Sequence, residues 1–375
     1  MSKPLSIGVV GCGGISQMMH LPFLAERPDL FRIVALADTD PATLEAAGRR
    51  YGVDRLHPSH RALLDEPVEA VLIASGGSHR DPVVDALAAG KHVLTEKPLG
   101  ENMAEVEAVA RAAAGTSATL MVGYHKRYDP GYLQARDEVA RLKDLRLVRC
   151  EVLHPVDGRA RDHYWIEPPR APEAKAKDDS EATDGFVDMV VHGGPRANVE
   201  AIVGAGAPVE QKVSTFLLFN SLIHDVNALR GILGEPEEVL FSGFWRQGRA
   251  MHVVLRWREG LCGTLSWVYL PGLRNYKEEL LFVSPESRVT LTFPSPYYRH
   301  FPTPVRVESM VDGRFEERQV VVSYDEAFRR ELHHFHDCVR TGRKPDTGID
   351  DAIGDTRVLE AIARAYRVVE GPAVL

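Results

Sequence analysis

"GVVGCGGIS", residues 8–16, closes one element and opens another. The apolar run "LSIGVV" has the length and composition of a buried strand, and "SQMMHLPFLAER" carries a helical apolar period. Glycines between a strand and a helix meet two needs of a bound pyrophosphate: the turn must be tight, and the backbone must come close to the phosphates. The negative charge then faces the helix N-terminus. Ser16 stands where the G-x-G-x-x-G pattern has its third glycine, one small residue for another. Gly11, Cys12, Gly13, Gly14, Ile15 and Ser16 are therefore the expected phosphate cradle. Asp38 ends the next strand, "RIVALAD", where a carboxylate accepts hydrogen bonds from the adenosine ribose. It would repel a 2′-phosphate, and neither Thr39 nor Asp40 supplies a cation, so NAD is expected over NADP.

Outward from this loop the chain alternates. "PATLEAAGRRYG" reads as a helix with proline in its first turn and glycine past its end. Then come "EAVLIAS", "RDPVVDALAAG", "KHVLT", "MAEVEAVARAAAG" and "ATLMVG", strand and helix by turns. Short apolar strands between amphipathic helices make a parallel sheet covered on both faces. After Tyr124 the rhythm changes. A helix, "PGYLQARDEVARL", leads to a strand, "LRLVRCEVL". Residues 155–185 are polar and proline-rich and are expected to be a mobile excursion beside the pocket, within an insertion spanning 155–215. "FNSLIHDVNALRGILG" is helical, and from Glu237 to Val322 short strands follow one another with turns between them, the mark of an antiparallel sheet. The expected fold class is α/β: a Rossmann domain over 1–124, then an α/β domain over 125–375 with a large, mainly antiparallel open sheet. The closing helix, 350–370, is expected to pack back on the first domain.

Composition narrows the function. With 44% hydrophobic residues in 375, the chain can bury two cores. Acids outnumber bases, 53 to 45, and the two are interleaved, so no basic face for nucleic acid is expected. Cys12, Cys150, Cys262 and Cys338 are far apart, which argues against a disulfide framework and for a reducing, cytoplasmic setting. No apolar run reaches the roughly 20 residues of a membrane span. "HHFHD" puts His333 and His336 on one helical face, but no acid or cysteine completes a metal site by spacing. Trp245, Trp257 and Trp267 fall on sheet strands and read as packing or subunit-interface residues.

"AGKHVLTEKPL", with "GCGGIS" before it and "GYHKRYDPGY" after it, resembles the glucose–fructose oxidoreductase and inositol dehydrogenase (Gfo/Idh/MocA) family over essentially the whole chain. The E-K-P signature after a strand is the specific part. The resemblance implies that Lys97 touches both substrate and cofactor and that Glu96 adjoins the cofactor; in relatives the peptide before this proline is often cis. It places Ser75 and His79 of "IASGGSH" beside the cofactor, although Ser75-Gly76 replaces the usual P-N. It makes "GYHKRYDPGY" a wall of the polyol pocket through Tyr124, His125 and Arg127. The alternative for Lys126 and Arg127 is a solvated pair at a domain junction.

The family's second landmark is a helix with an acid and a histidine four apart. Here it is "NSLIHDVN", and helical spacing puts Asn220, His224 and Asn227 on one face. Histidine suits base catalysis near neutrality. Relatives have aspartate where this chain has Asn220, which can hydrogen-bond but brings no charge. The expected activity is NAD-dependent oxidation of a secondary hydroxyl on a cyclic polyol or pyranose. His224 would be the base, with Asn220 beside it, and Lys97 would stabilise the alkoxide. Alternatives within the resemblance are ketoreduction, epimerisation or redox-assisted glycoside cleavage with retained NAD, or a non-catalytic dinucleotide-binding regulator. The expected partners are a small polyol or sugar and further copies of the chain, as a homodimer or homotetramer through the C-terminal sheet, with no nucleic acid and no membrane.

Overall fold

The computed structural model of the protein describes residues 3–155, 163–167 and 179–367. They fall into two compact units. The first takes in the described residues up to His125, the segment 163–167, and Ala327–Ile353; the second holds the rest. The sequence boundary put 327–353 in the second domain, whereas the fold returns this stretch to the first unit. The final helix runs Ile349–Arg364, and its residues from Gly354 onward group with the second unit. It stops short of the expected 370, and Tyr366–Arg367 form a strand instead.

The first unit is a six-stranded sheet of β1 (Leu5–Val10), β2 (Phe31–Ala37), β3 (Leu56–His57), β4 (Ala70–Ile73), β5 (His92–Glu96) and β6 (Leu120–Gly123). Their order is β3-β2-β1-β4-β5-β6, with every pair parallel. β1 and β4 are neighbours, but the chain leaves them toward opposite edges, which opens a crevice at their C-terminal ends. The crossover helices are capped by the residues the sequence offers. Asp40 accepts from the amides of Ala42 and Thr43 at the head of Pro41–Tyr51, and Gly52 ends that helix at φ +66°. Asn102 accepts from Glu105 N at the head of Met103–Ala114. Helix Ala327–Thr341 buries Phe328, Leu332 and Phe335 in this unit. Thr347 Oγ1 donates to the Val122 carbonyl of β6 at 2.7 Å.

The second unit is built on a nine-stranded sheet of β7 (Leu147–His154), β8 (Glu238–Trp245), β9 (Ala250–Arg256), β10 (Cys262–Tyr269), β11 (Lys277–Val283), β12 (Ser287–Phe293), β13 (Val305–Val311), β14 (Arg314–Val320) and β15 (Tyr366–Arg367). The order is β14-β13-β12-β11-β7-β10-β9-β8-β15; the pairs β7–β10 and β8–β15 are parallel and the others antiparallel. One face alternates inward along the central strands, as Val148, Cys150 and Val152 do on β7 and Leu280 and Phe282 on β11. Helix Pro130–Val139 packs on β12 and β13. Much of the stretch read as an insertion is helical: Asp179–His192, Arg196–Val203 and Val209–Leu217 meet around buried Val190, Val199 and Val213. Residues 156–162 and 168–178 lie outside the described residues. Trp257 and Trp267 are buried, their indoles donating to Gly234 O and Ser221 Oγ, while Trp245 is exposed.

Candidate active site

The glycine loop ends β1 at the crevice. Gly11 has φ +90°, and a Cβ on it would sit 2.5 Å from Ser75 N and 2.6 Å from the Ala74 carbonyl. Glycine is required here by the closeness of the two strand ends. Gly13 is different, because a Cβ there would meet no protein atom within 4 Å. The space over it is open to an approaching group, so the loop fits a dinucleotide pyrophosphate. Ser16 is buried, and its hydroxyl donates to the Gly11 carbonyl, closing the turn. Residues Ser16–His20 then form a π-helical turn before helix Leu21–Glu26. Cys12 is a packing residue; burial, then the charge of Asp38, pushes its thiol up to about 12.

Asp38 accepts from Cys12 N at 2.7 Å through one oxygen and from Asp40 N at 2.9 Å through the other. It braces the loop, and lone pairs on both oxygens are left for a ribose. The segment 163–167, read from sequence as part of a mobile excursion, is tied to the same loop. Gln17 Nε2 donates to Cys12 O at 2.9 Å and to Glu167 O at 2.6 Å, and Glu167 N donates back to Gln17 Oε1.

The "TEKPL" stretch sits at the C-terminal end of β5, on the same edge of the sheet as the glycine loop. The Lys97–Pro98 peptide is cis. Glu96 was expected beside the cofactor, yet both its oxygens engage protein groups. Oε1 contacts His20 Nε2 at 2.8 Å, and Oε2 accepts from Lys97 N at 3.2 Å. Burial alone would raise this carboxyl, but the hydrogen bond from His20 and the pull of His20, Lys97 and His125 outweigh it and hold it down to about 2. His79 is also a brace. Its ring nitrogens lie 2.8 Å from the carbonyl oxygens of Pro98 and Ser75, so it pins the E-K-P turn to the end of β4. Tyr124 is buried in packed surroundings, and His125 stacks on Phe328 at 4.3 Å between ring centroids. His333, His334 and His336 each have separate protein neighbours, Arg27, Asp346 and Phe31. No group of three or more possible metal ligands is found among the described residues.

Glu331, on helix Ala327–Thr341, is the acid that sequence reading missed. It is fully buried, and neither carboxyl oxygen has a hydrogen-bond partner. Burial, then the charge of Glu96, raises its carboxyl well above the ordinary range. A raised acid binds more protons folded than unfolded, so stability is lost as pH rises from the ordinary carboxylate range through the folded value. Glu331→Gln removes that loss. Its Tm should exceed that of the wild type at pH 8, by about 2 °C or more, and the gap should close toward pH 4. A Tm difference that does not vary with pH would contradict the assignment.

In the second unit, the helix that carries His224 does not begin as a regular α-helix. Leu218–Leu222 is a π-turn, followed by Ile223–Leu233. Spacings that assume 3.6 residues per turn do not carry through it. Asn220 is exposed and donates to Phe216 O at 2.9 Å, His224 is half-buried, and Asn227 is buried. Asn227 Nδ2 donates to Asp355 at 2.8 Å, and its Oδ1 accepts from Arg127 at 3.5 Å. Arg127 lies across Gly231, where a Cβ would come within 2.6 Å of its guanidinium carbon. The alternative of a solvated pair does not hold: Arg127 lies on this helix, and Lys126 is buried between Asp225 and Glu278. His154 and Tyr276, also missed, flank this region with ring centroids 5.6 Å apart. The signal for Glu278 was in "KEELLFV", where it occupies an inward position of an alternating strand with Leu280 and Phe282.

Residues 5–124 match the family described as an oxidoreductase family with an NAD-binding Rossmann fold. Through this domain the chain is similar to that family. An inositol 2-dehydrogenase from Gluconacetobacter diazotrophicus is 38% identical over 136 residues, 35% of this chain and 40% of that protein. The matched part thus spans less than half the length of the curated relatives. Two solved structures share the fold over nearly the whole chain. A 3-ketoreductase from Actinomadura kijaniata in complex with NADP has a TM-score of 0.71 at 19% identity, covering 98% of this chain and 99% of that one. An aldose–aldose oxidoreductase from Caulobacter crescentus has a TM-score of 0.70 at 23% identity, covering 96% and 97%. No helix among the described residues is long and apolar enough to cross a membrane.

Proposed function

We propose that the protein oxidises a secondary hydroxyl of a cyclic polyol or pyranose with NAD. The observation that carries this reading is the E-K-P turn at the end of β5, braced by His79 and by the Glu96–His20 contact, on the sheet edge that holds the glycine loop. Likeness to inositol 2-dehydrogenase over the first domain supports the substrate class. Bound at the loop, the nicotinamide would supply the hydride acceptor. In this reading, as the family resemblance implies, His224 takes the hydroxyl proton and the ammonium of Lys97 stabilises the developing alkoxide. Asn220 and Arg127 contribute polar groups toward the substrate, and His154 and Tyr276 join them as aromatic wall. A screen of inositols and aldoses with NAD, followed at the nicotinamide absorbance, tests the reading. Absence of turnover with every polyol and sugar in both directions would refute it.

The preference for NAD is part of the same proposal and rests on Asp38. Asp38→Ala removes a ribose acceptor, the repulsion toward a 2′-phosphate and the anchor on Cys12 N together. NAD affinity should fall by about tenfold while NADP loses less, so the preference narrows. Titration of both dinucleotides checks this, and a wild-type preference for NADP would contradict it.

A further inference from the structure

Beneath the helix that presents His224 lies a closed polar cluster. Lys126 Nζ donates to Asp225 Oδ1 at 3.1 Å and to Glu278 Oε1, and Tyr276 OH donates to Glu278 Oε2. Cys150 on β7 completes the ring of groups facing Asp225, and the Lys126 ammonium stands 4.9 Å from the Phe293 ring on β12. Lys126, Asp225 and Glu278 are all more than nine-tenths buried. Two carboxyls thus reach one ammonium nitrogen away from bulk solvent. If both were ionised, a net negative charge would be buried, which is unfavourable. One shared proton removes it, and the hydrogen bonds say where it resides. Glu278 already accepts from Lys126 and Tyr276, so it is the better-solvated anion.

We propose that Lys126, Asp225, Glu278 and Tyr276 are a positioning set for His224, in which Asp225 is a neutral acid that donates its proton to Glu278. Through Lys126, 99 residues before Asp225 and 152 before Glu278, the set ties the first turn of helix Ile223–Leu233, directly after a π-turn, to β11. Burial and the neighbouring Glu278 charge raise the Asp225 carboxyl well above its usual range despite Lys126, in keeping with this placement of the proton. Glu278 moves the other way: burial would raise it, but Lys126 and its hydrogen bonds hold it low. The link to His224 rests on the polyol dehydrogenase reading, whereas the location of the proton does not.

Substitution by amides separates the two carboxyls. In Asp225→Asn the NH2 can donate to Glu278 and the carbonyl can accept from Lys126, so Tm should stay within about 3 °C of wild type at pH 7. Glu278→Gln leaves one neutral acceptor oxygen for three donors and puts a donor where the second oxygen stood, so it should cost clearly more. Wild-type stability should fall with rising pH more steeply than that of Asp225→Asn, because the neutral acid exists only in the folded chain. Equal losses for the two amides, or the reverse order, would overturn the proton assignment. For positioning, the readout is the His224 ring resonance in histidine-labelled full-length protein, which needs no substrate. Asp225→Ala should shift it and Asp225→Asn should largely restore it, with kcat falling and recovering in parallel and dinucleotide Kd unchanged. A resonance unmoved in Asp225→Ala would sink the positioning role. If the wild type turns over no polyol, the dehydrogenase reading fails while the melting and resonance tests still decide this proposal.

Discussion

Lys97→Met is expected to lower kcat by two or more orders of magnitude while dinucleotide affinity changes only a few-fold. Methionine keeps the length and bulk of the side chain and deletes only its charge. The expected loss corresponds to about 3 kcal/mol of transition-state stabilisation, in the range found when one charge aimed at a developing oxyanion is removed. The scaffold should survive the change. The turn is held by backbone and neighbouring groups, with Pro98 O on His79, Ser75 O on the same ring, and Lys97 N on Glu96. Comparison of steady-state turnover with dinucleotide titration makes the test. A variant that turns over within a few-fold of wild type would remove Lys97 from the chemistry, and one that also fails to bind dinucleotide would point to a collapsed turn.

Gly11→Ala should have the largest effect on the first unit as a whole. An L-residue at φ +90° carries about 1–2 kcal/mol of strain, and the new methyl would overlap the Ala74–Ser75 backbone at 2.5–2.6 Å. Backbone cannot rotate away as a side-chain tip can, so the ends of β1 and β4 must separate. We expect Tm to fall by about 5 °C or more and dinucleotide binding to weaken by at least about tenfold. Gly13→Ala serves as the contrast. Its methyl enters open space, so stability should hold while binding suffers. Similar melting temperatures for the two variants would refute this division of roles.

The first sheet was legible because its signals are local. Apolar runs, the proline that opens Pro41–Tyr51 and the stop at Gly52 all act within a few residues. The glycine loop and Asp38 were legible for the same reason. The helices between 179 and 217 were not, because "HGGPRAN" and "GAGAPVE" look like coil when they are the joints between short helices. Two π-turns defeated the reading of helical faces, since one extra residue per turn rotates everything after it. The hardest features to see were buried charges. Lys126 beside Arg127 reads as surface, and Glu331 in "RRELHH" reads as one more charge on an amphipathic helix. Their partners lie far along the chain, which only the fold brings together. The sequence reading expects Glu96 and His79 beside the cofactor, while their part as braces depends on neighbours the sequence does not mark.

The first unit is begun by the opening third of the chain and completed only near its end. When the ribosome has released residues up to His125, all six strands exist, but helix Ala327–Thr341 and Thr347 do not. The surface that will receive Phe328, Leu332 and Phe335 stays wet until some two hundred further residues have been made. Each of those side chains contributes about 1.5–3 kcal/mol on burial, a large share of the margin that holds a small domain together. The dinucleotide domain therefore begins to emerge before most of the second unit and becomes complete only after it. A gene fragment ending at the sixth strand would yield a sheet with an uncovered flank, and one that fuses 327–353 directly to it would come closer to the natural unit than any simple truncation.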